Sequence, residues 1–375
     1  MEGIPSARHG ARRKGSAHLP HHGGRIGNAE IQACGRGGGP MITIYDIAKE
    51  CGCSSATVSK VFNRTGNISE KKRREVLEAA ERLGYVPNVA ARSLVRQRSN
   101  MVGVLLFIDE SLGLRHGLFA EILNRFRAEM EKHNFEIVLI SEKGEMWGGR
   151  FLDHCRALRL DGVFCLCCNY DTEAVRELIG GNIPLVAFES PYEEKPSIES
   201  KNFEAAKRLT EHLIENGHRD IVFIAGTDIP ITRDRIAGYR AALEEHGIPF
   251  DEDRLLHTSF FSCDRGSRAT ELLLACQKPF TAVMYPDDFT AISAYRDLAA
   301  AGYRVGENIS VTGFDGVNFG EMVMPRLTTI RQDAVRIGES AADMLLELID
   351  GKPVPGGKTR LDAELVLGES VHKLA

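Results

Sequence analysis

The chain has 375 residues, more than one hydrophobic core usually serves, so two or three domains of about 100–200 residues are expected. Hydrophobic content of 43%, charged content of 26% and no apolar run near the ~18 residues needed to cross a bilayer argue for a soluble globular protein without a membrane anchor. The net charge of −5 conceals a division: residues 41–100 carry 11 Lys/Arg against 6 Asp/Glu, residues 101–375 carry 30 against 44, and a polyanion partner is expected for the short basic stretch alone.

Residues 1–40 are rich in Gly, His and Arg, lack apolar periodicity and are expected to form a disordered extension. They hold no apolar segment of secretory-signal length, so a cytoplasmic chain is expected. The run GRGGGP before Met41 reads as a translated purine-rich ribosome-binding site, with Met41 as the natural start; a native peptide from within residues 1–40, detected by mass spectrometry, would overturn this. The nine cysteines are odd in number and read as reduced thiols. Cys165, Cys167 and Cys168 lie in DGVFCLCC, a short apolar run in which alternation puts Cys165 and Cys167 on one face of a buried strand, whereas a zinc site wants paired ligands presented at turns; neither there nor at Cys51 and Cys53 is a metal expected, and no cofactor is expected.

From Thr43, the stretch ITIYDIAKECG has apolar residues Ile44, Ile47, Ala48 and Cys51 on one helical face, and Gly52 ends it. Ser54 stands where an N-cap is wanted, and Val58, Val61 and Phe62 make the apolar stripe of a second short helix. Ser69 caps a third, in which Val76, Leu77, Ala80 and Leu83 are expected to face inward and Gly84 to provide the stop. Two short helices across a glycine turn form a helix-turn-helix over residues 41–87. Outward on the second helix are Ser55, Ala56, Ser59 and Lys60: small side chains that permit close approach to base edges, hydroxyls, and an ammonium.

TIYDIAKECGCSSATVSKVFN followed by ISEKKRREVLEAAERLGYVPNVAARSL closely resembles the LacI/GalR family of bacterial transcription regulators, with its V-S-x-x-T-V-S and G-Y-x-P-N-x-x-A-R-S-L patterns. Cys53 replaces the usual Val, and Lys60 a common Arg. The resemblance implies that Ser55 and Ala56 read bases with Lys60 nearby, that Thr57 and Ser59 hold phosphates, and that Thr43, Ser54, Asn63, Asn88 and Ala91 complete the DNA contact. It also implies a hinge helix within the linker 88–100, with Leu94 wedged into a minor-groove base step. The hinge has a physical basis, since VAARSLVRQRSN is too short and basic to persist as an isolated helix and needs DNA and a second copy to fold against.

After Asn100, apolar runs alternate with amphipathic segments. MVGVLLFI, FEIVLIS, DGVFCLC and IPLVAFE are separated by helices near 118–132, 148–158 and beyond. A second series follows: a helix over 202–215, DIVFIAG, a helix over 233–246, a short strand near 255–257, a helix over 265–276, TAVMYP, a helix to 301, and ISVTGFD. Such alternation predicts parallel sheets covered on both faces, in two lobes whose ligand cleft lies at the carboxyl ends of the strands. NGHRDIVFIAG, RIAGYRAAL, ISVTGFD and PRLTTIRQDAVRIGESAADMLLELIDG carry the same family resemblance, which spans about residues 42–370 in all. The fold class is therefore a multidomain α+β chain: an all-α helix-turn-helix head with a hinge helix, then a two-lobed α/β periplasmic-binding-protein-like core at 101–375.

In that core the resemblance implies that Arg235 grips the effector, Asp315 faces it, Phe261 stacks on it, and Glu189 and Asp288 occupy positions where the family often has Asp and part of an N-D pair. The first cleft loop, DESLGLRHGLFAE, is longer than usual, so Arg115, His116 and Phe119 are expected to add a wall. Arg and Asp on hydroxyls with an aromatic face against ring C–H suit a carbohydrate.

Two rival classes remain. No G-x-S-x-G, H-E-x-x-H or strand-linked G-x-G-x-x-G speaks for an enzyme, and GKPVPGGKT at 351–359 has lysine where a phosphate loop needs glycine. A transport-type binding protein would need export and has no use for a helix-turn-helix. The expected function is a homodimeric repressor on a pseudo-palindromic double-stranded DNA operator, controlled by a small-molecule effector, with a purine or a partner protein as the alternative signal. The sequence leaves open whether the effector induces or corepresses.

Overall fold

The computed structural model describes residues 42–62, 65–85, 98–106, 114, 116–140, 150–258, 263–275 and 278–374. The extension at 1–40, the hinge candidates Asn88, Ala91 and Leu94, and Asn63, Arg115 and Phe261 lie outside the described residues. The chain divides into two compact units, Met1–Pro87 and Asn88–Ala375.

In the first unit, α1 (Ile44–Glu50), α2 (Ser55–Phe62) and α3 (Glu70–Leu83) start and stop on side-chain chemistry. The Thr43 N–H and hydroxyl both donate to Asp46 Oδ2, at 2.8 and 2.7 Å. Gly52, at φ +56°, makes the turn into α2, and Ser54 Oγ accepts the Thr57 N–H at 3.1 Å. Ser69 Oγ caps α3 through the Lys72 N–H, and Gly84 ends it in the left-handed region at φ +65°. Ile47, Ala48 and Cys51 of α1, Val58 and Val61 of α2, and Val76, Ala79 and Ala80 of α3 make one core. Here one expectation fails: Leu77 is exposed and Ala79 is buried in its stead. Val76, Ala79, Ala80 and Leu83 follow the i, i+3, i+4, i+7 stripe, and Leu77 stands one position off it.

The second unit holds two six-stranded sheets. The first contains β1 (Met101–Leu106), β2 (Glu136–Ile140), β3 (Gly162–Cys167), β4 (Leu185–Phe188), β5 (Pro196–Ser200) and β11 (Gly357–Leu361), in the order β11-β5-β4-β3-β1-β2, all parallel. The second contains β6 (Ile221–Ala225), β7 (Leu255–His257), β8 (Ala282–Met284), β9 (Ser310–Asp315), β10 (Thr328–Gln332) and β12 (Ala363–Val366), in the order β12-β10-β9-β8-β6-β7. Only the β10–β12 pair is antiparallel. Parallel strands buried on both faces read as continuous apolar runs, as IVFIA of β6 does.

Helices cover both faces of each sheet. In lobe 1, α4 (Gly117–Lys132) and α11 (Ala334–Ile349) pack on one face, and α5 (Phe151–Ala157) and α6 (Glu173–Gly180) on the other. In lobe 2, α7 (Asn202–Glu215) and α8 (Pro230–Glu245) oppose α9 (Cys263–Ala275) and α10 (Asp288–Ala300). Helix α8 begins a turn before the expected residue 233, because Pro230 fits the first helical turn, where its missing N–H costs nothing.

Strands β5, β10, β11 and β12 were not expected. They carry the chain between lobes: β5 leads to α7, β10 to α11, and β11 to β12. The three crossings run together. The Lys201 N–H donates to Leu361 O at 2.9 Å, its ammonium meets Asp362 at 2.6 Å, and Ser200 Oγ donates to Gln332 Oε1 at 2.5 Å. Lobe 1 thus takes its last helix and an edge strand from residues that follow lobe 2 in sequence.

Candidate nucleic-acid interface and ligand cleft

On α2 of the head, Ala56 and Lys60 are exposed and Ser55, Thr57 and Ser59 half-buried. Exposed Ser54 and half-buried Thr57 pair their hydroxyls at 2.9 Å while Ser54 caps the helix, so both contribute to the local fold. Thr43 likewise serves as the cap of α1. The Lys60 stem lies against Gly66, where an added Cβ would stand 3.3 Å from it. Of the basic run that opens α3, Lys72 donates to Cys51 O at 2.6 Å and Arg73 to Val61 O at 3.4 Å. These two cations close the carboxyl ends of α1 and α2 on α3, where helix dipoles favour positive charge. Tyr45, at 70% exposure, is an outward phenol that the reading of the sequence did not nominate; it can donate to a phosphate oxygen.

In the second unit the nominated cleft residues gather from both lobes. Arg235 on α8 is the only buried arginine or lysine among the described residues. Its Nε donates to Asn202 Oδ1 at 2.8 Å, its Nη1 to Pro286 O at 2.9 Å, and its guanidinium lies 3.5 Å over the Phe314 ring. Burial pulls its pKa down, while Asp315, Glu189, Asp287 and Asp288 hold it up. Glu189, which follows β4 of lobe 1, reaches lobe 2 through Asn202 Nδ2 at 3.4 Å; burial raises its pKa against the pull of Arg235 and Asn202.

Asp315 ends β9. Its Oδ1 accepts from Gln332 Nε2 at 2.8 Å, and its Oδ2 lies 3.6 Å from His116 Nε2 of lobe 1. Burial pushes the Asp315 carboxyl well above the usual range and the His116 imidazole down to about 3, leaving it neutral at physiological pH. Glu189 and Asp315 have left-handed backbones, at φ +53° and +108°. Such strain in non-glycine residues collects at ligand sites.

Other nominated residues sit differently. Both oxygens of Asp288 are engaged, Oδ1 by the Thr329 hydroxyl at 2.5 Å and Oδ2 by the Val317 N–H at 2.7 Å, and burial pushes its pKa up to about 8. Phe119 packs into the lobe 1 core and against the His116 ring at 4.7 Å. Phe289 of lobe 2, which was not nominated, lies 5.1 Å from the other end of that contact, the His116 imidazole. Asn202, Gln332 and Phe314 were also not nominated as ligand-site residues.

Two family models match the chain: "Bacterial regulatory proteins, lacI family" over residues 43–88 and "Periplasmic binding protein-like domain" over 210–371. The probable HTH-type transcriptional repressor ExuR of Bacillus subtilis (strain 168) is 32% identical over 339 residues, covering 89% of this chain and 99% of its own. The HTH-type transcriptional repressor PurR of Vibrio campbellii (strain ATCC BAA-1116) is 31% identical over 342 residues, covering 89% and 100%. Among solved structures, the lac repressor dimer bound to operator and the anti-inducer ONPF is similar with a TM-score of 0.76 and 27% identity, over 88% of this chain and 99% of that one. A transcriptional regulator CelR–cellobiose complex is similar with a TM-score of 0.67 and 28% identity, over 88% and 99%. No helix among the described residues is long and apolar enough to cross a membrane. A helix-turn-helix head, two parallel-sheet lobes and a relative matched over nearly its whole length lead to one conclusion: the chain belongs to the lacI family of bacterial regulatory proteins and is a DNA-binding transcriptional repressor.

Proposed function

We propose that the protein is a cytoplasmic, non-enzymatic homodimer that binds a pseudo-palindromic operator and takes a small-molecule effector, a sugar or sugar derivative, between its lobes. In this reading Ser55, Ala56 and Lys60 face bases, and Thr57 and Ser59 face phosphates. Thr43, Ser54, Asn63, Asn88 and Ala91 complete the contact, and Leu94 enters the minor groove. Arg235, Asp315 and Glu189 hold the effector with Phe119 and Phe261 as its apolar walls, while Asp288 anchors the segment that carries Asp315. The observation that carries the proposal is the convergence from two lobes of Asp315 and Glu189, at the carboxyl ends of their strands, on Arg235 of helix α8. Effector binding shifts the population of lobe arrangements and with it the affinity for operator.

The test begins with selection of binding sites from random duplex DNA by the full chain, followed by fluorescence anisotropy on the selected site with sugars, sugar acids and purines added. Inverted repeats are expected. One ligand is expected to change the operator affinity at least tenfold, and Arg235→Ala to abolish that change. Selected sites without two-fold symmetry would sink the homodimer; an unaltered response in Arg235→Ala would sink the cleft assignment.

A further inference from the structure

The linker over residues 88–100 carries three arginines, Arg92, Arg96 and Arg98. A cation in a DNA-binding linker ordinarily serves to meet phosphate, but Arg98 is turned onto the protein. Its Nη1 donates to Asp350 Oδ1 at 3.0 Å and its Nη2 to Ile349 O at 2.8 Å. Helix α11 ends there with no basic residue in its own last turn, so Arg98 supplies the cation that terminal carbonyls and the helix dipole favour.

The two residues after Arg98 are held as well. Asp161 accepts the Ser99 N–H on Oδ1 at 3.0 Å and the Asn100 N–H on Oδ2 at 2.7 Å. Ser99 is buried, and Asn100 turns the chain into β1 with a left-handed backbone at φ +56°, which asparagine tolerates. Gly162 follows Asp161, and a Cβ on it would stand 2.8 Å from Leu345 Cδ1 and 3.2 Å from Ile349 Cδ1 of α11. The start of β3 and the end of α11 are thus close-packed into one platform of lobe 1, to which three consecutive linker residues are bound.

The side chains of Arg98 and Asp350 are 45% and 50% exposed, and an ion pair that open adds little to stability. What it fixes is geometry. A hinge too short to persist as a helix alone has less freedom to lose on DNA when one end is already held. We infer that Arg98, Asp350 and Asp161 are positioning residues for operator recognition: they set the point and direction in which the hinge leaves lobe 1. The inference rests on the DNA contact proposed above for Asn88, Ala91 and Leu94.

The test is fluorescence anisotropy of the full chain on its selected operator and on random duplex, at several salt concentrations, with Leu94→Ala as the reference for a hinge defect. Arg98→Ala is expected to weaken operator binding about tenfold and to leave random-duplex binding within about twofold, with Arg98→Lys in between, because lysine keeps the charge but not the two-pronged contact. Asp350→Ala removes a negative charge, which by electrostatics alone would tighten binding to both DNAs. It is expected instead to weaken operator binding, and the double variant to be little worse than either single one. Urea midpoints are expected to match that of the natural protein. Equal losses on both duplexes with a shallower salt dependence would make Arg98 a phosphate contact and overturn the inference. Unchanged operator binding in Arg98→Ala beside impaired binding in Leu94→Ala would also overturn it and leave the hinge reading standing. If neither variant distinguishes the two duplexes, the hinge reading and this inference fall together.

Discussion

Asp288 is committed to the fold by both of its carboxyl oxygens. Its two oxygens hold Thr329 on β10 and the Val317 backbone just beyond Asp315. Its pKa, pushed up to about 8 by burial with Asp287 adding to it, lies far above the ~3.9 of an unfolded chain. The folded state therefore retains a proton that the unfolded state has lost. The stability this carboxyl contributes is complete below about pH 4 and disappears as pH rises towards about 8. Asp288→Asn keeps an acceptor for the Val317 N–H and does not ionise. The stability of Asp288→Asn relative to the natural protein is expected to rise between about pH 4 and 8 and to level off above. Urea unfolding at a series of pH values measures this, and a flat difference would refute it. Asp287, Asp315 and Arg235 share the environment, so the variant's own curve provides the reference against which the remaining groups titrate.

Among elements, one helix pair in each lobe makes a close backbone contact. A Cβ at Gly238 of α8 would stand 2.2 Å from Phe203 O and 2.9 Å from Lys207 N of α7. One at Gly338 of α11 would stand 2.6 Å from Ile122 O of α4. Each lobe has thus brought two helix backbones together over a glycine. In Gly238→Ala the usual gain of about 1 kcal/mol in helix propensity is expected to be outweighed by overpacking of ~1–3 kcal/mol or more, because the obstructing atoms are backbone. Gly180→Ala, at the end of α6 with nothing within 4 Å, is expected to be neutral or mildly stabilising. Equal urea midpoints for the two variants would refute the packing argument. The elements were unevenly legible in the sequence. Strands flanked by helices announced themselves as apolar runs, as DIVFIAG does. Strand β11, GKTRL, has no such run and is recognisable only once β5 is beside it. The site followed the same division: family-like residues Arg235 and Asp315 could be nominated from their motifs, whereas Gln332 meets Asp315 only because β9 and β10 pair. His116 comes within 3.6 Å of Asp315 because residues about 200 apart in sequence meet across the lobes.

At the scale of the whole molecule, charge and wedge separate two kinds of DNA binding. The basic stretch 41–100 supplies phosphate contacts that any duplex offers, and the acidic remainder opposes spreading of that contact. Leu94→Ala removes only the proposed insertion at a deformable base step. It is expected to weaken operator binding at least tenfold and to leave salt-sensitive binding to random duplex within about twofold. Anisotropy titrations on both DNAs at several salt concentrations measure it, and equal losses on the two would refute the wedge.

The three crossings between lobes also set an order of synthesis. A ribosome that has completed residue 350 has made every helix of both lobes, yet neither sheet has its full set of strands: β11 and β12 are still to come. The closing segment completes lobe 2 as well. Ser370 Oγ accepts the Thr328 N–H at 2.8 Å and donates to Val311 O at 2.6 Å, and Ser310 Oγ lies within 3.0 Å of both His218 and His372. The two sheets are therefore completed by one short segment, and a chain that stops at residue 350 leaves β5 and β10 as unpaired edges. Unpaired edges of this kind template aggregation, so the segment after residue 350 also protects both sheets from pairing with other chains.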